Sequence, residues 1–334
     1  MGIYTIVAAG IAFAVTALSG KWMVPFLQRL KYGQTIKEIG PTWHKKKQGT
    51  PTMGGLMFII GVVCAILIAV PLYFEGFGTE ISLAQKTKVF GGTLMAVGFA
   101  LIGFFDDYIK VVKKQNLGLT ARQKFLLQCL VGAAYLFSLY MAGERGMTLI
   151  PFVGYVDLGI WYWPLALLVI VGTVNAVNLT DGIAGLASSV TFVAAVFFML
   201  IATVTGVYGI STVAAAVAGG CVGFLLWNFH PAKVFMGDTG SLFLGGLIVL
   251  LGFGIGMPIL ILPIGIVYFL ETLSVVLQGL YFKATHGKRI FKMSPIHHHF
   301  EMCGWKEVKI VLVFAAVSAV MCVIAWFGIS GLGG

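Results

Sequence analysis

Long apolar runs alternate with short polar joints along the whole chain. Ten runs are predicted as membrane-crossing helices, over residues 3–20, 53–74, 89–105, 125–142, 161–177, 183–205, 211–229, 241–257, 259–282 and 308–329. Each approaches the roughly 20 apolar residues that span about 30 Å of hydrocarbon. The first run has no basic start, and Lys21 and Trp22 follow it as an interfacial anchor, so it reads as a retained helix rather than a signal peptide. The joints are too short to hide a soluble domain of about 50 residues. The pattern therefore predicts an all-α integral membrane protein, a single polytopic domain over residues 1–334.

Composition agrees: 59% of the 334 residues are hydrophobic and only 10% charged, against about 25% charged in soluble domains. The 44 glycines read as small packing residues that let membrane helices approach. Five cysteines, Cys64, Cys129, Cys221, Cys303 and Cys322, show no metal-type spacing and are expected to be free thiols.

Charge then orients the bundle. Segments 21–51, 106–124, 228–240 and 283–309 hold 19 of the 22 lysines and arginines. By the positive-inside rule these face the cytoplasm and both termini lie outside. The net charge of +10 is thus explained by topology and by attraction for anionic lipid or substrate, without a nucleic-acid partner.

The same face collects the chemistry. Asp106, Asp107, Asp181 and Asp238 fall at predicted cytoplasmic helix ends, and all six histidines fall in cytoplasmic segments. Each motif has a bland alternative. Asp107 in "GFFDDYIKV" could simply end the third helix. Adjacent helical residues point about 100° apart, so Asp106 and Asp107 are expected to face different ways unless the helix ends there, and to do different jobs. In "NAVNLTDGIAGL", Thr180 or Asp181 could cap a helix, or the glycine-flanked helix start could offer amides to a phosphate or base. Asp238 in "FMGDTGSL" could cap a helix or hold a cation. "GTPTMGG" lacks the ending of a P-loop, yet a basic, glycine-rich loop after Lys45, Lys46 and Lys47 suits a phosphate. In "SPIHHHFE" three consecutive histidines rarely converge on one metal, so contacts to phosphate fit better. Glu271, alone among the carboxylates, lies inside an apolar run, as either a functional group or a structural contact between helices.

Clustered aspartates suit a hard divalent cation such as Mg²⁺. Lysines and histidines around it suit transferring phosphate oxygens, and a lipid phosphate acceptor explains a site at the bilayer edge. Phosphoryl transfer at a membrane surface is the chemistry expected.

Taken together and in this order, "GTPTMGG", "GFFDDYIKV", "NAVNLTDG", "VFMGDTGSL", "ETLSVVLQ" and "SPIHHHFE" resemble the bacterial phospho-N-acetylmuramoyl-pentapeptide transferase family over nearly the whole chain. The resemblance implies Mg²⁺-dependent transfer of phospho-N-acetylmuramoyl-pentapeptide from its UDP-linked donor to undecaprenyl phosphate, forming lipid I and releasing UMP. It further implies a multi-pass protein of the bacterial inner membrane, often a homodimer, with a cytoplasmic active-site cleft. By resemblance, Asp106 and Asp107 match the paired essential acids, Asp107 being the first choice for the base, and Asp238 matches the Mg²⁺-binding acid. Asn178, Asp181, Gly182 and Ile183 match the nucleoside-binding stretch, with Phe235 expected to stack on uracil and Lys47 and Thr52 beside it. Lys124, Asn228, His297, His298 and His299 match polar positions of the phosphate and sugar region. One position departs: the family usually reads "DGLDGL" where this chain has "DGIAGL", so Ala184 replaces a second aspartate and weaker donor binding or turnover is expected. Two rivals remain. A sister transferase would move N-acetylglucosamine-1-phosphate to the same lipid. A proton-coupled transporter would use Glu271 as a relay, but would not need acids and histidines gathered on one face.

Overall fold

A computed structural model describes residues 2–30, 49–77, 82–112, 117–150 and 153–330. Ten long helices dominate: α1 (Gly2–Arg29), α2 (Gly55–Phe77), α3 (Gly92–Val112), α4 (Ala121–Met141), α5 (Tyr162–Thr180), α6 (Leu186–Val204), α7 (Tyr208–Asn228), α8 (Gly237–Gly254), α9 (Ile266–Ala284) and α10 (Glu307–Ser330). Among the described residues, ten helical segments are long and apolar enough to cross a membrane. A short helix, Ile296–Met302, lies between α9 and α10.

α8 is the axis of the bundle. Every residue from Thr239 to Gly254 is buried, which is what a helix apolar on all sides requires. It packs chiefly against α3 and α5, with α2 beside them. Outer helices instead turn large side chains outward, as Leu18 and Trp22 on α1 and Leu130 and Phe137 on α4 do. In a bilayer such faces meet lipid.

The helix boundaries differ from the sequence expectation where they matter most. α3 does not stop at its aspartates but continues to Val112, and α8 begins at Gly237 rather than at 241. Both polar ends were trimmed by a reading that follows hydropathy, because helical backbone bonds are indifferent to side-chain polarity. The ninth run breaks into short turns, Pro258–Leu260 and Ile261–Ile264, before α9 starts at Ile266. Pro258 and Pro263 each lack the N–H a continuous helix needs. A small antiparallel hairpin, β1 (Met147–Ile150) with β2 (Gly154–Asp157), joins α4 to α5. All five cysteines are free, as expected.

Candidate active site

The site begins at a close helix crossing. At Gly103 a Cβ would stand 2.1 Å from the Asp238 carbonyl oxygen, so only glycine lets α3 approach the first turn of α8 this closely. Residues three and four positions on lie about 60° and 40° to either side of that contact line. Asp106 and Asp107 therefore straddle the start of α8 without the helix having to end. With Asp238 they present carboxylate oxygens all within 4.8 Å of one another.

The two neighbours nevertheless have different partners. Asp107 Oδ2 accepts hydrogen bonds from the Thr239 N–H at 2.9 Å and the Thr239 hydroxyl at 2.7 Å, which fixes it at the N-terminus of α8. Gly237, with φ of 74°, turns the chain into α8 here, and a Cβ on it would meet Asp107 Oδ2 at 2.6 Å and Thr52 Oγ1 at 2.8 Å. Asp106 instead accepts the Leu119 N–H at 2.8 Å through Oδ1 and pairs with Lys110 through Oδ2 at 2.5 Å. It thereby anchors the entry to α4, where Thr120 and Gln123 form a capping box. Caps of this kind stabilise a helix end by about 1 kcal/mol, and this one presents Lys124 on the following turn.

Asp238 is the hub. Its Oδ2 lies 2.9 Å from both Lys110 Nζ and Lys124 Nζ, and its Oδ1 accepts from Asn178 Nδ2 at 2.9 Å. The Asn178 amide also donates to Ser241 Oγ at 2.7 Å. Four helices, α3, α4, α5 and α8, thus meet at one carboxylate. The capping alternatives do not hold: Asp238 follows the N-cap Met236 and faces lysines, Thr180 bonds back to the Ala176 carbonyl, and Gly185 is the N-cap of α6.

Asp181 lies in the turn between α5 and α6. Burial, reinforced by the Asp238 and Asp107 carboxylates, raises its carboxyl well above the usual carboxylate range.

The remaining expected residues sort into two groups. The "GTPTMGG" loop is strapped to the segment before α8 by Phe235 N–H to Pro51 at 2.8 Å and by Gly54 and Gly55 N–H to Phe235 and Met236, both at 2.9 Å. This brings Thr52 to the edge of the aspartate cluster and leaves Phe235 half-buried on the strap. Asn228, in contrast, is buried, with its Oδ1 accepting the Gly185 N–H and its Nδ2 donating to the Val234 carbonyl. It ties the α5–α6 turn to the α8 approach. Ile183 and Ala184 are buried in that turn. The three histidines diverge: His297 is buried beside Glu271, His298 Nδ1 lies 2.6 Å from Glu301, and His299 Nδ1 accepts the Lys292 N–H at 3.1 Å. Lys47 lies outside the described residues.

Sequence reading passed over Lys110, Thr239 and Ser241. Lys110 carried a readable signal, since it stands four residues after Asp106 and three after Asp107 on one helix face. Thr239 and Ser241 carried none, because only the crossing at Gly103 shows what they face.

The arrangement suits a hard cation. Ligand oxygens around an octahedral cation of Mg²⁺ size stand about 2.9 Å apart when adjacent and about 4.1 Å when opposite. Asp106, Asp107 and Asp238 each bring one oxygen to within 4.8 Å of the other two, somewhat wider than such a shell. Against the two lysines, Asp106, Asp107 and Asp238 keep an excess of negative charge that favours a cation.

Residues 89–255 match the glycosyl transferase family 4 model, and residues 47–59 match the phospho-N-acetylmuramoyl-pentapeptide-transferase signature 1. A phospho-N-acetylmuramoyl-pentapeptide-transferase of Heliobacterium modesticaldum is 48% identical over 93% of this chain and 93% of its own. One of Desulforamulus reducens is 48% identical over 97% of this chain and 96% of its own, and one of Bacillus mycoides 44% over 96% of each. The signature spans the loop that carries Thr52, and the family 4 match covers the helices that bring Asp106, Asp107, Lys124, Asn178 and Asp238 together; the chain belongs to the phospho-N-acetylmuramoyl-pentapeptide-transferase family.

Proposed function

We propose that the protein transfers phospho-N-acetylmuramoyl-pentapeptide from its UDP-linked donor to undecaprenyl phosphate, yielding lipid I and UMP. In this reading it is a Mg²⁺-dependent homodimer of the bacterial inner membrane, with its site facing the cytoplasm. The observation that carries it is the meeting of three carboxylates and two lysines, supplied by α3, α4 and α8, at the polar end of the bundle. The crowding of lysine and arginine on that same face supports the cytoplasmic orientation.

In the reaction, an oxygen of the lipid phosphate forms a bond to the sugar-bearing phosphorus of the donor. The bond from that phosphorus to the bridging oxygen breaks, and UMP leaves with the electron pair. Asp106, Asp107 and Asp238 would hold Mg²⁺, which when bound supplies charge stabilisation to the pyrophosphate oxygens. Lys110 and Lys124 stabilise negative charge that builds on the transferring phosphoryl group. Asp107, held through Oδ2 by Thr239, turns Oδ1 to within 4.0 Å of Lys110 Nζ, where it would take a proton from the lipid phosphate or orient it. The α5–α6 turn, Thr52 and Phe235 receive the uridine end.

The test is donor choice. Purified protein with undecaprenyl phosphate and Mg²⁺ is expected to release UMP with the muramoyl-pentapeptide donor and not with UDP-N-acetylglucosamine. Release with the second donor alone would move the assignment to the sister activity.

Ala184 offers a second measurement. It stands in the turn assigned to the donor, where the family usually carries a second aspartate, so Ala184→Asp is expected to raise kcat/KM for the donor by at least about threefold, roughly 0.7 kcal/mol. An unchanged value would make the departure at this position incidental.

A further inference from the structure

Glu271 has no part in the chemistry above, yet it is fully buried in the second turn of the apolar helix α9. A carboxylate so placed is expensive unless it has a partner or a task. Its Oε2 accepts the backbone N–H of His297 at 3.4 Å and lies 3.0 Å from His297 Nδ1. His297 is equally buried; its Nδ1 meets Glu271 Oε2 as a close polar contact rather than an aligned hydrogen bond, and its Nε2 finds no hydrogen-bond partner among the described residues. That nitrogen points at the α5–α6 turn: a Cβ built on Gly182 would stand 2.1 Å from it. Two turns further along α9, Gln278 accepts the N–H groups of Ile290 and Phe291 at 3.1 and 3.0 Å. Glu271 and Gln278 thus lie seven residues apart on one face of α9 and hold both ends of the segment that carries the histidines. α9 itself packs on α5, whose C-terminus leads into the turn.

We propose that Glu271 is a positioning residue for the donor: it holds the His297 ring against Gly182 and so sets the shape of the Asp181–Ile183 turn. The proposal rests on the reading that this turn receives the nucleoside of the UDP-linked donor. Glu271 acts through His297 and touches neither the aspartate cluster nor the phosphate to be transferred. Its effect therefore falls on the donor and leaves the lipid substrate alone.

Steady-state kinetics of full-length variants decide it. Glu271→Ala and His297→Ala are each expected to raise the donor KM about tenfold, with the undecaprenyl phosphate KM staying within about twofold. The double variant is expected to be no more than about twofold worse than either single one, because both break the same line of contacts. Glu271→Gln keeps an acceptor oxygen at the same reach and is expected to hold the donor KM within about threefold, whereas Glu271→Asp, one methylene short, raises it about fivefold. An unchanged donor KM in Glu271→Ala, equal rises for both substrates, or a double variant that multiplies the single effects would overturn the proposal. Should Glu271→Ala fail to fold, the Gln and Asp variants carry the test, and equal donor KM values for those two overturn it. The experiment uses whichever UDP-sugar the wild-type protein accepts. Failure of the donor assignment and failure of this inference are therefore read separately.

Discussion

Asp238→Asn is expected to lower turnover at saturating substrates by at least about a hundredfold, roughly 2.7 kcal/mol of transition-state stabilisation. The side chain keeps its size, so the effect is one of charge. The Asp238 carboxylate brings Lys110 and Lys124 to within 2.9 Å and orients the Asn178 amide. An asparagine here sets an NH₂ group against either the two ammonium groups or the Asn178 amide, each of which is itself a donor. Two lysines lose the anion that holds them near each other, and the cation site loses one of three ligands. UMP release followed against time gives the number, and thermal unfolding of the purified variant checks that the bundle persists. Turnover within about threefold of wild type would remove Asp238 from the centre of the site.

Asp107→Asn is expected to lower kcat by at least about a hundredfold with little change in either KM, within the 10²–10⁴ range of general acid–base contributions. Thr239 donates twice to Oδ2, and an amide oxygen accepts the same two bonds, so the side chain stays where it is. What disappears is the anionic Oδ1, the oxygen that this reading assigns to the lipid phosphate. Asp106 makes the useful contrast. Its carboxylate is engaged with the Leu119 N–H and Lys110, so Asp106→Asn is expected to cost less in kcat and more in the stability of the α3–α4 connection. Should the Asp106 variant lose more kcat than the Asp107 variant, the two roles are reversed.

Much of the candidate site is legible in the sequence. The acids and histidines stood out because a chain with so few charged residues has little reason to place them anywhere but at a site. The lysine distribution grouped them on one face, since charge asymmetry across a membrane is a property of segments rather than of contacts. Pairwise geometry was another matter. That Asp106 and Asp107 flank one spot while α3 runs on to Val112 depends on how close α3 comes to α8, and so on Gly103, which in the sequence is one of 44 glycines. The histidine run read as a single phosphate-facing unit. On a short helix its members point about 100° apart, and the structure sends them to Glu271, Glu301 and Lys292.

The order of apolar runs by itself determined that this is a ten-span all-α bundle, because each run must satisfy its backbone within its own helix in order to cross lipid. The composition of the joints marked the candidate residues, because the acids at the helix ends and the histidines fall there. Tertiary structure alone decided which of those residues meet. It made Asp238 the hub, assigned Asp107 to the start of α8 and Asp106 to the entry of α4, and set Glu271 beneath His297. Those contacts join residues up to 132 positions apart, and they follow from helix crossings that local sequence does not encode.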